Sequence, residues 1–517
     1  MAVTAPLLIE RAIRWHGPRV AIIDGERSLT FRETGDRTAR LANVLRGLVS
    51  EPGRCVAVLL PNRLEAVEAD LAIARAGLVK APINARLVAA ERRHVLANTA
   101  AEVLITERSE AEAMMELLPG LEHLRTVLCC DGGPAGTLDY ETALSAAAAT
   151  APAAVVRPGD PSVVLHTSGT TGRPKGATWT DGSRVAAMRN MLLEECAVEP
   201  GDGIVHAGSL AHGSGSKVLA YFARGGRNIL TSRFEPESFA RLVERHAATS
   251  TFLVPTMIRM LLDAQDPPDG RLAPLRTITY GGAPAPRELL DRALATLGGV
   301  FVQVYGSCEA PHPVTVLPRE LHRVDGDDGA HLASAGREVT AIELRILDEQ
   351  GDDVRDGGVG ELVVRGPSVM AGYWGDPSAT AEVMTDDGWY CTGDVGHRDE
   401  RGFVYIVDRK RDMIISGGLN VYPAEVEAAI HRHPAVREAS VVGLPDERWG
   451  ERVAAFVVRG DGEGLTVDEL VEHCRVHLAG YKKPTVVEFV DALPKGATGK
   501  VLKDVLSREH RAREESR

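Results

Sequence analysis

Thr167-Ser168-Gly169-Thr170-Thr171-Gly172-Arg173-Pro174-Lys175-Gly176 is the stretch on which the reading of this chain turns. An apolar run, Val163-Val164-Leu165, precedes it and reads as a buried strand, and helical spacing starts near Asp181. A strand running into glycines, hydroxyls and one lysine is a phosphate cradle. The glycines let backbone N–H groups approach anionic oxygens, the hydroxyls donate further hydrogen bonds, and Lys175 supplies fixed positive charge. The spacing is not that of a Walker loop, because no Gly-Lys-Ser/Thr closes it. A polar turn with no ligand is the competing reading, and ten residues in this order weigh against it.

Outward from this loop, residues 1 to about 150 alternate apolar runs (Val56–Leu60, Val103–Ile105) with Ala/Leu/Arg-rich helical stretches, which is α/β patterning. The Ala-rich stretch Ser145–Val156 closes this layer. The alternation resumes at Gly203–Ala207, Asn228–Thr231, Thr251–Val254, Thr277–Tyr280 and Val300–Tyr305. From about Val339 short strands separated by glycine turns, Ile342–Leu347 and Gly360–Gly366, predict an antiparallel β subdomain. After Asp408-Arg409-Lys410-Arg411-Asp412 the pattern becomes a small α+β unit with helices over Ala424–His433 and Val467–Leu478.

At 517 residues the chain is too long for one core, and about three structural units are expected. A net charge of −13 argues against nucleic acid as the main partner, since a phosphate backbone needs a basic surface. Seven scattered cysteines without a CxxC pair are neither a disulfide framework nor a zinc site, and fit a reducing cytosol. Glu10, Arg11 and Arg14 interrupt the short apolar N-terminus, so no signal peptide is expected. No uncharged apolar run of about 18 residues occurs, so no membrane span is expected, while peripheral contact through a helix face stays open. The expected compartment is the cytoplasm. Oligomeric state is not legible.

Five further segments carry chemistry. Tyr280-Gly281-Gly282-Ala283-Pro284 ends a strand in two glycines, against which a flat ring or a ribose can lie. Val304-Tyr305-Gly306-Ser307-Cys308-Glu309 puts an aromatic ring and a carboxylate at another strand end, fit to stack a base and hold a divalent metal. Trp389-Tyr390-Cys391-Thr392-Gly393-Asp394 places a carboxylate after a glycine turn, and Asp408–Val421 joins a charged cluster to Gly417-Gly418. Pro494–Lys500 sets Lys500 on a glycine-flexed loop. Each alone has an ordinary explanation: a turn, a solvated charge run, an idle lysine.

Together, and in this order over essentially the whole chain, they resemble the acyl-adenylate-forming superfamily of acyl-CoA synthetases, peptide-synthetase adenylation domains and firefly-type luciferases. Asp412–Gly418, Tyr422–Glu427 and Leu444–Gly450 resemble its acyl-CoA synthetase (fatty-acid–CoA ligase) branch. The resemblance implies an α/β fold: a large N-terminal domain (1–410) of stacked α/β sheet subdomains plus a β subdomain, and a small mobile α+β C-terminal domain (411–517). It implies ATP, Mg²⁺ and CoA as reactants and a small carboxylic acid as substrate.

By the same resemblance Thr167, Ser168, Gly169, Thr170, Thr171, Gly172 and Lys175 hold the β and γ phosphates, and Glu309 with Thr170 serves the metal. Tyr305 and Gly306 pack against adenine beside Gly281, Gly282 and Ala283, while Asp394 and Arg409 take the ribose. Lys500 lies between the carboxylate and the α-phosphate, and His212 lines the acyl end of the tunnel; with Glu309 these are the expected catalytic residues. Gly417 and Gly418 serve the CoA step, with Arg411 as the hinge. The family usually has Thr before the metal-binding Glu; here Cys308, a weak donor, leaves the α-phosphate contact in doubt.

Ala207–Phe222 has no acidic residue, which counts against an amino acid substrate. The positions around His212, Val254, Gly282 and Ser307–Val314 read as neutral and fairly apolar, as for a fatty, alicyclic or aryl monocarboxylate. Lys217, the only permanent cation between Ala207 and Phe222, is expected to point away from the tunnel, with His312 the sole titratable base between Tyr305 and Leu317. The alternatives are an acyl-AMP ligase that loads a carrier protein and an aryl- or dicarboxylate-specific CoA ligase.

Overall fold

A computed structural model describes residues 2–115, 120–167, 174–264, 270–323, 329–355, 357–417, 419–446, 448–460, 464–496 and 501–515. The chain divides into two compact units, Met1–Leu344 with Val364–Tyr390, and Arg345–Val363 with Cys391–Arg517.

The first unit is built on two large sheets. One has nine strands, in the order Arg337–Glu338, Thr315–Leu317, Phe301–Tyr305, Thr277–Gly281, Ser250–Leu253, Gly203–His206, Arg227–Leu230, Val20–Asp24 and Arg27–Thr30. Its six middle strands are parallel and both margins antiparallel. The other has eight, with Pro161–His166 beside Val79–Pro82, then Cys55–Leu59 and Val103–Thr106. Parallel strands covered on both faces read as unbroken apolar runs, which is why Cys55–Leu59, Val103–Thr106 and the strands from Gly203–His206 to Phe301–Tyr305 were legible, while Val20–Asp24 and Val79–Pro82 went unread.

The main core joins the two sheets through a helical layer. Ile22 and Leu230 of one sheet and Val56 and Ile105 of the other share one buried cluster with helices Ala5–His16, Phe31–Leu48, Leu64–Arg75 and Gly213–Ala223. Every residue of Leu64–Arg75 is buried, including Glu65, Glu68, Asp70 and Arg75. A helix with no solvent face needs a partner for each charge. Glu68 pairs with Arg37, Arg75 with Glu10 (2.6 Å), and Asp70 with both Lys80 (2.7 Å) and Arg184 (2.6 Å).

In the second unit a long hairpin, Val436–Asp446 with Gly450–Arg459, is flanked by Ile414–Ser416 and, in parallel, by Val486–Phe489. Period-two alternation splits it cleanly. Val453, Ala455 and Val457 pack with Val426, Ile430 and Leu470 on one face, and Ala454, Phe456 and Val458 with Leu493 and Leu506 on the other. The predicted helices form at Pro423–His431 and Val467–His477. A further four-stranded sheet runs Glu343–Leu347, Gly360–Arg365, Tyr390–Arg398 and Val404–Arg409.

Candidate active site

Four adjacent parallel strands of the nine-stranded sheet, Gly203–His206, Ser250–Leu253, Thr277–Gly281 and Phe301–Tyr305, end along one edge. Their outgoing loops carry His212, Val254, Gly282-Ala283 and Gly306–Glu309. Open α/β sheets bind ligands outside the carboxyl ends of their strands, so topology alone gathers these residues. The glycines are needed for different reasons. A Cβ on Gly281 would lie 2.3 Å from the Val304 carbonyl oxygen, and one on Gly306 would lie 2.5 Å from the His312 nitrogen. Gly282 instead has a φ of +80°, and a Cβ there would make only ordinary contact, 3.8 Å from Val254 Cγ1.

Glu309 sits in a turn fixed by Ser307, whose hydroxyl oxygen accepts the N–H groups of Glu309 (3.2 Å) and Ala310 (3.0 Å). Its own carbonyl accepts from Met370 N (2.8 Å), and Tyr373 O–H donates to its Oε1 (3.0 Å). Lys175 Nζ lies 5.2 Å over the Tyr373 ring and 3.7 Å from Glu382 Oε2. Burial, and then the Glu309 charge, pushes the phenols of Tyr373 and Tyr390 well up, so both remain donors. Tyr373 was missed in the sequence, where its only signal is an aromatic ring after a glycine. Trp179 Nε1 donates to the Cys308 carbonyl (2.7 Å), tying the strand Gly176–Thr180 to this turn.

The phosphate loop is a hairpin loop. Pro161–His166 and Gly176–Thr180 pair antiparallel, and Thr167 N donates to Lys175 O (3.0 Å) across its base. The strand after the loop went unread in the sequence; the helix Asp181–Asn190 follows it. Ser168, Gly169, Thr170, Thr171 and Gly172 lie outside the described residues.

The loop carrying His212 is pinned by Asn62, whose side chain accepts from Leu210 N (2.8 Å) and donates to the carbonyls of His206 (2.9 Å) and Gly208 (2.7 Å). Asn84 Nδ2 lies 2.9 Å from His212 Nε2; with the amide donating, the imidazole is neutral with its proton on Nδ1. The helix Gly213–Ala223 turns tightly here, since a Cβ on Gly215 would fall 1.9 Å from the Leu210 carbonyl oxygen.

Lys217, expected to turn away, is 2% exposed and ion-paired to the fully buried Glu195. His312 Nδ1 reaches the same carboxylate at 3.1 Å, and its Nε2 lies 3.0 Å from Ser216 Oγ. Burial pushes the Glu195 carboxyl up, but the charges and hydrogen bonds of Lys217 and His312 prevail and hold it at about 2. Both bases singled out in the sequence are therefore engaged with Glu195, clamping the loops that carry His212 and Glu309 to one another. The neutral surroundings expected for His212 hold along the chain but fail in space. The cavity beside it is lined also by Asp70, Lys80 and Arg184, brought from a helix and a strand far away in sequence and from the helix after the phosphate loop. None of the three lies in the sequence segments that flank His212.

In the second unit, Asp394 and Arg409 are register partners on neighbouring strands, and their side chains pair at 2.7 Å. The glycine turn expected before Asp394 is not there: Gly393, with φ of +71°, lies within the strand Tyr390–Arg398. Arg411 Nε lies 3.4 Å from Asp412 Oδ1. Gly417, with φ of +61°, donates its N–H to the Trp449 carbonyl (2.7 Å), and a Cβ there would fall 2.8 Å from the Trp449 ring. The base of the Lys500 loop is closed by Leu502 N donating to Pro494 O (2.8 Å). Lys500 and Gly418 themselves lie outside the described residues.

Comparison with known proteins matches residues 9–374 to the AMP-binding enzyme family and residues 425–500 to the AMP-binding enzyme C-terminal domain. The chain is 40% identical over 504 residues to a feruloyl-CoA synthase of an Amycolatopsis species, covering 96% of this chain and 97% of that one. It is 35% identical over 494 residues to an indoleacetate–CoA ligase of Aromatoleum aromaticum, covering 94% of each. Among solved structures, an o-succinylbenzoate CoA synthetase from Bacillus subtilis, in complex with its acyl-adenylate intermediate, superposes with a TM-score of 0.85. That match is 30% identical and covers 96% of this chain and 97% of that one.

Proposed function

The chain belongs to the AMP-binding enzyme family and is an AMP-forming carboxylate–CoA ligase; from that premise we propose that it activates an aryl or alicyclic carboxylic acid. The acid oxygen attacks the α-phosphorus of ATP, pyrophosphate leaves, and the acyl-AMP is then opened by the CoA thiol with AMP departing. The first step brings two anions together, so the site must neutralise charge and fix an in-line geometry.

The observation that carries this reading is the Glu309–Tyr373–Lys175 cluster beside the base of the phosphate loop. Lys175 and the loop amides take the phosphates, and Gly281–Ala283 with Tyr305 receive the adenine. Asp394 accepts the ribose hydroxyls, and Arg409 orients that carboxylate. Lys500 offsets charge at the α-phosphate. Among the described residues no group of three His, Cys, Asp or Glu side chains is placed to hold a metal ion. A single carboxylate beside a phosphate loop suits Mg²⁺, which keeps its waters and binds through one or two carboxylates plus substrate phosphates. Glu309 would hold it, and when bound it supplies neutralisation of phosphate charge. His212, neutral and oriented by Asn84, lines the acyl end and excludes water from the reacting carboxylate.

The test is incubation with ATP, Mg²⁺ and a panel of carboxylic acids, with and without CoA, following AMP and thioester by mass spectrometry. Acid-dependent AMP release with acyl-CoA formation is expected. Acid-dependent AMP release that never yields a CoA thioester would overturn the assignment in favour of an enzyme that loads a carrier protein.

A further inference from the structure

The cavity beside His212 carries a charge imbalance that the reaction at the phosphates does not use. Asp70, Lys80 and Arg184 line it together with His212, Leu210 and Trp179. Asp70 accepts one N–H from Lys80 (2.7 Å) and one from Arg184 (2.6 Å), and among the described residues neither cation donates a second side-chain hydrogen bond. A guanidinium has five N–H donors and an ammonium three, so most of their capacity is unspent. Lys80 and Arg184 each keep about a tenth of their side-chain surface accessible (10% and 9%), whereas Asp70 keeps 3%. Two cations thus share one carboxylate, leaving a net positive charge in a largely desolvated wall. Asp181, also near Arg184, does not cancel it within the cavity. Its oxygens accept from Ala5 N at 3.1 and 3.2 Å, and it does not line the space.

The wall is tied to the proposed reaction centre by Trp179, which lines the cavity and donates to the Cys308 carbonyl next to Glu309, and it includes His212, the residue proposed to line the acyl end. A buried, under-neutralised cation pair is costly unless something completes it. Nothing in the acyl-transfer chemistry requires charge here, and a plain hydrocarbon acid would leave these donors unmatched.

We propose that Lys80 and Arg184 are specificity-determining residues that select acids bearing an oxygen acceptor, such as a phenol oxygen, ketone or second carboxylate, remote from the reacting carboxylate. Asp70 is the positioning residue that holds the two cations side by side. This rests on the CoA-ligase reading and names the kind of acid it takes.

The test compares kcat/KM for matched acids on one enzyme preparation, because the ratio of two substrates does not depend on the fraction that is folded. Suitable sets are cinnamate, 4-hydroxycinnamate and 4-carboxycinnamate, and 3-cyclohexylpropanoate with its 4-oxo counterpart. A hydrogen bond to a charged group predicts a roughly 10- to 100-fold preference of the wild type for an acceptor-bearing member. Arg184→Met should abolish that preference by leaving Lys80 and Asp70 as a neutral pair, while turnover of the plain acid persists; Lys80→Met carries the same expectation if Arg184→Met is insoluble. Asp70→Asn adds net positive charge and should raise the 4-carboxycinnamate ratio further, where the ketone ratio changes little. These arms separate an anionic from a neutral acceptor. Acids that are activated with no acceptor preference, or a preference that survives both methionine variants, would overturn the proposal and leave the ligase assignment standing. No acyl-CoA from any acid would defeat the ligase assignment itself.

Discussion

Replacing Lys217 by Met removes the cation from the buried Glu195 carboxylate and leaves His312, at 3.1 Å, as its remaining partner in the triad. The wild-type carboxyl is held at about 2 against an ordinary 4.5, a difference of roughly 2–3 units, or about 3 kcal/mol at 1.36 kcal/mol per unit. Breaking one side of a buried pair typically costs about 3–5 kcal/mol, which agrees. Scaling the per-residue unfolding entropy to a unit of this length gives roughly 1–2 °C of Tm per kcal/mol, so a fall of about 3–8 °C at pH 7 is expected by calorimetry. The pH dependence has a definite sign. A depressed carboxyl contributes stability above pH 4.5 that is lost as pH falls toward 2, whereas the unpaired carboxyl of the variant, pushed up by burial, is favoured when protonated. The gap between wild type and Lys217→Met should therefore narrow as pH is lowered from 7 to 5. The double variant Lys217→Met/Glu195→Leu should regain part of the loss, since it removes the unpaired buried carboxylate while leaving His312 Nδ1 without the oxygen it reaches at 3.1 Å. A Lys217→Met protein melting within 1 °C of the wild type at pH 7, or a double variant weaker than both singles, would refute the account of this triad.

Lys500→Ala should lower adenylation by about 10²–10³-fold while largely sparing thioester formation from supplied acyl-AMP; an equal fall in both half-reactions would make the lysine structural. Tyr373→Phe deletes the hydrogen bond to Glu309 Oε1 and should cost about tenfold or more in kcat/KM for ATP with a raised Mg²⁺ requirement, read from Mg²⁺ titrations; an unchanged titration would remove Tyr373 from the site. Cys308→Thr restores the hydroxyl usual in the family and should be tolerated or mildly activating, with ATP and acid protecting the wild-type thiol from alkylation; collapse of activity would give the thiol a role of its own.

The elements legible in the sequence were those whose pattern is set by local burial. The parallel strands read as apolar runs because both faces are covered; the hairpin Val436–Arg459, whose two faces meet different cores, was read only as part of a small α+β unit. The motif order fixed the family for a related reason. Glycines at Gly281, Gly306 and Gly417 answer to close approaches of backbone or ring that tolerate no Cβ, so the sequence had to display them. What it could not display is which side chains share a space. Asp70, Lys80 and Arg184 come from three elements that meet at one cavity beside His212, and Glu195, Lys217 and His312 from three more. Charge in a pocket is a sum over neighbours in three dimensions. Counting cations along Ala207–Phe222 found Lys217, whose charge is engaged with Glu195, and missed Lys80 and Arg184, whose charge is not fully cancelled. The family was written in the order of residues; the charge lining the cavity beside His212 was decided by the packing of a buried helix between two sheets.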